Sequence, residues 1–218
     1  MGQFDNKCYN VFDRQEVKMD TQKFKRQLDE LRTIITDGIA YFTVWRGLMV
    51  DDEVSAHALN RYRGMFLPAR NALLWATLMQ LAKVFGRHRG EVSLGNLLAA
   101  AKKDREHLTP HVTEEKLQEI EQQIEGNEDL LDRLRRFRDK RLAHHDSEIK
   151  GAINLQYGEI RQLIEEIQSM YNSLRKGHDR NLTSYKFLVS EGKTHTSGVV
   201  AVMREERERS MKRFKKKD

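Results

Sequence analysis

Apolar residues recur at steps of three and four over long stretches of this chain, and this spacing constrains the fold more than any other feature. The longest series runs from Phe24 to Trp45 and predicts one amphipathic helix, with Asp20 or Thr21 as its N-cap. Only two prolines occur in 218 residues, and helix-forming Leu, Glu, Lys, Arg, Gln and Ala are abundant. The sequence therefore predicts an all-α protein built as an antiparallel helical bundle.

Further helices are expected after the first one. The second half of the stretch 53–85 is the most apolar part of the chain and is expected to form the central core helix. The pattern predicts helices at 53–85 with a kink or split at Pro68, at 93–101, at 109–146 with a weak point at Gly126 and Asn127, and at 159–174, closed by Gly177.

The helical pattern divides the chain into three predicted regions: an irregular lead-in at 1–19, the helical bundle at 20–177 and a basic C-terminal extension at 178–218. Within the extension the periodicity weakens. Residues 185–189 and 199–202 fit either short strands or loop, and the sequence does not decide between them. The long helix after residue 108 can begin at Thr109 with Pro110 as its first residue, or at Thr113.

Several classes of protein are excluded by what the chain lacks. Cys8 is the single cysteine, so a disulfide-linked secreted scaffold is excluded. The longest apolar-rich run, residues 71–82, is too short to span a bilayer, and the N-terminus has no hydrophobic signal segment. We therefore expect a cytoplasmic protein with no membrane partner. The sequence also contains neither a phosphate-binding glycine-rich loop with Lys-Ser/Thr nor a nucleophile elbow.

The net charge of +6 is concentrated in two places. Residues 204–218 hold eight Lys or Arg and four Asp or Glu, which suits either a solvated helix end with a frayed tail or an electrostatic hook for phosphate backbones. The second basic cluster lies inside a helical segment, at 131–146, and has histidines beside it. It is the more informative of the two because its position relative to the core can be predicted.

Two apolar series at seven-residue spacing run through residues 117–134 and continue to Arg138, Arg141 and His145. An unbroken helix would place these side chains on the inward face, with His144 on its edge. Buried guanidinium groups need carboxylates, water or a ligand, because their desolvation costs several kcal/mol. The alternative is that the arginines extend to solvent while a histidine caps or packs at the helix end. No metal site is expected, because adjacent histidines point about 100° apart on a helix.

Residues 138–144, RDKRLAH, resemble the R-x(4–6)-H signature of the HEPN superfamily, with Asp139 as the polar residue that commonly follows the arginine. The longer segment RDKRLAHHD is most similar to the abortive-infection U-type branch. The long first helix, the second helix ending in LAKVFG and the short SLGNLL helix are also similar to that branch. The resemblance covers roughly residues 20–177 and implies a HEPN-like antiparallel bundle.

The resemblance implies a metal-independent endoribonuclease of a phage-defence or toxin–antitoxin type, with no cofactor. Arg138 and His144 would be catalytic, His145 is an alternative histidine within the permitted spacing, and Asp139 would orient its neighbours. A histidine can move protons at neutral pH, and an arginine can stabilise a phosphate that gains negative charge. The residues expected to bind RNA phosphates are Arg135, Arg136, Lys140 and Arg141.

The resemblance also implies partners. The family motif is completed when two protomers face each other, so we expect a homodimer whose shared cleft carries both copies of Arg138 and His144. RNA and a neutralising antitoxin protein are the other expected partners. The alternative function is a non-catalytic HEPN-like module that binds RNA, a nucleotide or an antitoxin, and a third is a plain interaction bundle whose tail binds nucleic acid unspecifically.

Overall fold

The computed structural model describes residues 19–88, 90–143 and 155–215, and these ranges contain nine α-helices and no strand. The predicted all-α class is confirmed. The helices are α1 Thr21–Leu48, α2 Glu53–Asn60, α3 Arg63–Val84, α4 Leu94–Lys103, α5 Arg105–Leu108, α6 Glu114–Gly126, α7 Glu128–Ala143, α8 Tyr157–Asp179 and α9 Lys186–Lys215.

Short polar side chains cap four of these helices, α1, α2, α4 and α6. Asp20 caps α1 by accepting a hydrogen bond of 2.6 Å from the backbone N–H of Lys23. Ser93 caps α4, as its position before the SLGNLL helix indicates, and Thr113 rather than Thr109 caps α6. The predicted weak point is also confirmed, because α6 ends at Gly126 and α7 begins two residues later.

Two expectations for residues 53–85 are wrong. The chain divides at Arg61 and Tyr62, and Pro68 lies within α3. Pro68 is the sixth residue of α3, so the one hydrogen bond that it removes lies near the start of the helix, where the loss interrupts little of the ladder. The central helix is α1 rather than α3, since α1 packs against α3, α4, α5, α8 and α9.

Residues 186–215 form neither strands nor loop but one helix of 30 residues, α9. Its periodicity is weak in the sequence because apolar side chains also lie on its outer surface, including Phe187, which is 76% exposed, and Val202. The predicted domain boundary after residue 177 stays a prediction.

The helix α9 packs on α1 through small residues. A Cβ atom added to Gly47 of α1 would lie 2.6 Å from Cγ2 of Thr196, and one added to Gly192 of α9 would lie 2.9 Å from Cγ2 of Thr43. Glycine is therefore required at both crossings, because no other residue allows the two backbones to approach so closely.

The core joins the first and last parts of the bundle. Phe24, Leu28 and Leu31 of α1 are fully buried and belong to the same apolar cluster as Leu163 and Tyr171 of α8. None of the helices in the described ranges combines the length and the apolarity that a membrane span requires.

Candidate functional site

Arg138 lies on α7, next to the inward-facing side of that helix. Leu131, Leu134 and Phe137 are buried, whereas the Arg138 side chain is 17% exposed. Its Nε donates a hydrogen bond of 2.9 Å to Oδ1 of Asp139. The motif arginine is thus partly desolvated and paired with the next residue in the chain.

Arg138 lines a surface cavity of about 650 Å³. Three further parts of the chain form its walls: the first half of α1, the end of α3 and the loop between α3 and α4. Four basic and two acidic side chains line this cavity, so its charge balance is positive. The lining residues are Lys23, Arg26, Gln27, Glu30, Ile34, Lys83, Gly90, Glu91, Val92 and Arg138.

The contribution of α1 follows from its amphipathic pattern. Phe24, Leu28 and Leu31 face the core, and the polar residues at 23, 26, 27 and 30 lie at helical spacing along the edge of that apolar stripe. Sequence reasoning missed Lys23 and Arg26, although their spacing along one edge of the predicted helix was a usable signal.

The α3–α4 loop is held in place by its own hydrogen bonds. Asn96 Nδ2 donates to the backbone carbonyls of His88, at 3.1 Å, and Glu91, at 2.8 Å. The Glu91 carboxylate accepts from the N–H of His88 at 3.3 Å, and Gly90 has a φ of 94°, which favours glycine. The wall that this loop contributes is therefore a fixed surface.

Arg135 was expected to bind RNA phosphate, but the structure places it in a local ion-pair network. Its Nη1 donates to Glu128 at 2.7 Å and to Asp132 at 2.6 Å, and its side chain is 14% exposed. Glu128 also binds Arg87 of the α3–α4 loop. The network joins the motif helix to that loop, and Arg135 does not line the cavity.

The other sequence-predicted site residues lie in or beyond the last turns of α7. Arg136 is exposed. Lys140 and Arg141 belong to α7, with only their backbone described, and His144 and His145 lie outside the described residues.

The helices on either side of residues 144–154 are joined directly. Arg133 of α7 donates to both carboxylate oxygens of Glu159 of α8, at 3.1 and 2.6 Å. Glu159 also accepts from the backbone N–H of Gln156 at 2.8 Å. The hydrogen bond from Arg133 is the main cause that lowers the pKa of Glu159 below its ordinary value. The ion pair holds α7 and α8 together on either side of the segment that carries His144.

The parts of the chain that the structure describes gather no group of three or more His, Cys, Asp or Glu side chains that could hold a metal ion. The cavity beside Arg138 is lined by arginine and lysine side chains. Those side chains supply fixed positive charge and hydrogen-bond donors.

An all-α bundle whose sequence contains the R-x(4–6)-H signature, with its arginine on α7, is typical of a HEPN-type domain. The chain belongs to the AbiU2 family of HEPN domains, whose family model matches residues 21–195. The match confirms the resemblance to the abortive-infection branch and extends into the first part of α9. Comparisons with curated proteins and with solved structures find no match.

Proposed function

We propose that this protein is a metal-independent endoribonuclease of a phage-defence or toxin–antitoxin type, with Arg138 and His144 as its catalytic residues. The observation that carries the proposal is the position of Arg138, which is partly buried, paired with Asp139 and directed to a cavity with a positive charge balance. Membership of the AbiU2 family supports the same class of function.

The proposed reaction uses the ribose 2′-hydroxyl as its nucleophile. A histidine accepts the 2′-hydroxyl proton as the 2′-oxygen bonds to phosphorus, and the bond from phosphorus to the 5′-oxygen breaks. A general acid returns a proton to that leaving oxygen, which yields a 2′,3′-cyclic phosphate and a 5′-hydroxyl end. Arg138 stabilises the negative charge that builds on the non-bridging oxygens, because its guanidinium stays protonated and offers paired donors.

We assign the histidine role to His144, with His145 as the alternative, and the orienting role to Asp139. The proposed site is completed in a homodimer, where a second copy of the motif supplies the second proton carrier of the reaction. RNA is the proposed substrate, an antitoxin protein is a proposed partner, and the cytoplasm is the proposed compartment.

Cleavage of labelled single-stranded RNA in the presence of a chelator tests this proposal. We expect products with cyclic phosphate ends from the wild-type protein and none from Arg138→Ala or His144→Ala, while His145→Ala retains activity. Arg63→Ala removes an exposed arginine outside the cavity and should cut RNA at the wild-type rate.

Unchanged cleavage in Arg138→Ala would reject the catalytic assignment. RNA binding that weakens with salt but gives no products would instead favour the non-catalytic module. Light scattering after size-exclusion chromatography tests the dimer, and a strict monomer that still cuts RNA would contradict the shared cleft.

A further inference from the structure

Three basic side chains on the walls of the Arg138 cavity have no role in holding the fold together. Lys23 and Arg26 lie on the first half of α1, and Lys83 lies in the last turn of α3. All three are exposed, and among the residues that the structure describes none of them forms an ion pair. Their charges are therefore available to a ligand.

Arg135 provides the contrast. It lies on the same helix as Arg138 but its charge is opposed by the carboxylates of Glu128 and Asp132, at 2.7 and 2.6 Å. A cation held by two carboxylates offers little attraction to phosphate, because displacing either carboxylate costs the interaction already made. The motif helix therefore presents Arg138 but not Arg135 to the cavity, and the other basic groups on the cavity walls come from α1 and α3.

The arrangement of the three cations suits a polyanion. They come from two helices and face one cavity that also contains Arg138, so four positive groups lie around a shared space. Among the described lining residues Glu30 and Glu91 are acidic, and Glu91 already accepts a hydrogen bond from the N–H of His88, while Asp139 pairs with Arg138 alone. Like charges around one cavity repel each other, and an anion that bridges them relieves this repulsion.

We infer that Lys23, Arg26 and Lys83 form a phosphate-binding subsite, which holds the nucleotides next to the phosphate that Arg138 contacts. The inference rests on the proposed function and names residues that the motif does not contain. Uncharged walls from Gln27, Ile34 and Val92 can contact sugar or base. A cavity of about 650 Å³ accepts part of a single strand, whose unpaired bases can reach these uncharged walls, so the expected substrate class is single-stranded RNA.

The experiment measures the binding of a fluorescein-labelled single-stranded RNA by anisotropy, across a series of sodium chloride concentrations. The test variant is Lys23→Ala/Arg26→Ala/Lys83→Ala. The control variant, Lys25→Ala/Lys176→Ala/Lys186→Ala, removes the same charge from exposed positions that do not line the cavity. Each lost phosphate contact should lower the slope of log K against log salt by about 0.7, so the test variant should lose about 2 in slope. The control should keep the wild-type slope.

Lys23→Ala/Arg26→Ala is measured as well, in case the triple variant does not fold, and should lose about 1.4 in slope by the same relation. In the cleavage assay the test variant should raise KM and leave kcat close to wild type, because these side chains position the strand and do not touch the reacting atoms. Duplex RNA of the same sequence should bind more weakly than the single strand.

The outcomes separate this inference from the proposed function. Equal slopes for test and control variants, beside normal cleavage by the wild type, would overturn the subsite and leave the nuclease standing. If the slope of log K against log salt falls only in the test variant, and the wild-type protein cuts no RNA, the subsite is supported and the nuclease is rejected. No binding of RNA by the wild-type protein would overturn both.

Discussion

The guanidinium group of Arg133 donates hydrogen bonds to both carboxylate oxygens of Glu159, at 3.1 and 2.6 Å. Arg133 lies five residues before Arg138 on α7, and Glu159 lies in the first turn of α8. The pair therefore links the helix that carries Arg138 directly to α8.

Replacing Glu159 with glutamine should lower the free energy of unfolding. The amide keeps the volume of the side chain but loses the charge that both Arg133 donors contact, which costs about 1 kcal/mol for a pair whose side chains are 26% and 32% exposed. Urea unfolding at pH 7, followed by circular dichroism, measures the change. Glu165→Gln is the control, because its pair with Arg161 is 63% exposed on both sides and its loss should lower the free energy of unfolding by less. Equal losses of unfolding free energy in the two variants would contradict the prediction that the pair of Glu159 with Arg133 contributes more to stability than the exposed pair.

The same pair predicts a dependence of stability on pH. Arg133 lowers the pKa of Glu159 in the folded protein, so the carboxylate contributes stability above its unfolded value of about 4.3. That contribution is lost as the pH falls through the lower, folded value. The difference in unfolding free energy between the wild type and Glu159→Gln should therefore shrink between pH 5 and pH 3, roughly the range in which a paired carboxylate takes up its proton. A difference that stays constant over this range would show that charge is not its source.

Asp139 should affect catalysis through the direction of Arg138. In Asp139→Ala the Arg138 Nε loses its acceptor, and misplacement of the guanidinium should lower kcat by about 10- to 100-fold. Asp139→Asn keeps an acceptor oxygen and should retain most of the activity, whereas Arg138→Ala should lose about 100- to 1,000-fold. Single-turnover cleavage assays measure these rates.

Asp51→Ala is the matched control for that series, since Asp51 is an exposed carboxylate that pairs with Arg46 outside the cavity. It should leave kcat unchanged. If Asp139→Asn were as inactive as Asp139→Ala, the negative charge of Asp139 would matter and not its hydrogen bond alone.

The contact between α1 and α9 can be tested by a compensating pair of substitutions. Gly192→Ala places a Cβ 2.9 Å from Cγ2 of Thr43, and the overlap should outweigh the gain in helix propensity and cost about 1 kcal/mol. Thr43→Ser removes that methyl group, leaves a contact of 3.5 Å and keeps a hydroxyl for the carbonyl of Ile39. The double variant should therefore recover the stability of Thr43→Ser or exceed it.

Gly198→Ala is the control on the same helix, because a Cβ there has no neighbour within 4 Å. It should raise the free energy of unfolding by about 0.5 to 1 kcal/mol through helix propensity alone. Thermal and urea unfolding of the wild type, the two single variants at positions 43 and 192 and the double variant give the coupling energy. A coupling energy of zero between positions 43 and 192 would contradict the observed approach of the two helices.

The helices that the sequence predicted best are those with local signals. Asp20 and Ser93 act as caps through bonds to N–H groups three residues later, so four or five residues contain the information. The helix α9 was not predicted because part of its contact with α1 is made by glycine and threonine, which carry no apolar periodicity. Its exposed Phe187 and Val202 further blurred the pattern.

The residues of the candidate site also differ in whether the sequence alone could predict them. Arg138 and Asp139 could be predicted because their motif is continuous in the chain. Lys23 and Lys83 could not be joined to it from the sequence, since the cavity that they share with Arg138 exists only after α1, α3 and α7 pack together. The pairing of Arg135 could have been foreseen, because Asp132 stands three residues before it on the same helix.

The small-residue crossings between α1 and α9 also bear on how this surface can change. Gly47 and Gly192 bring the backbones together and Val200 is buried with Leu48, so the helix is held by the side that faces α1 and α2. Side chains on its outer face, such as those of Phe187, Val199 and Val202, are exposed to solvent and are not needed to hold it in place. That face can therefore accept mutations that adapt it to a new neighbour while the bundle beneath it keeps its shape.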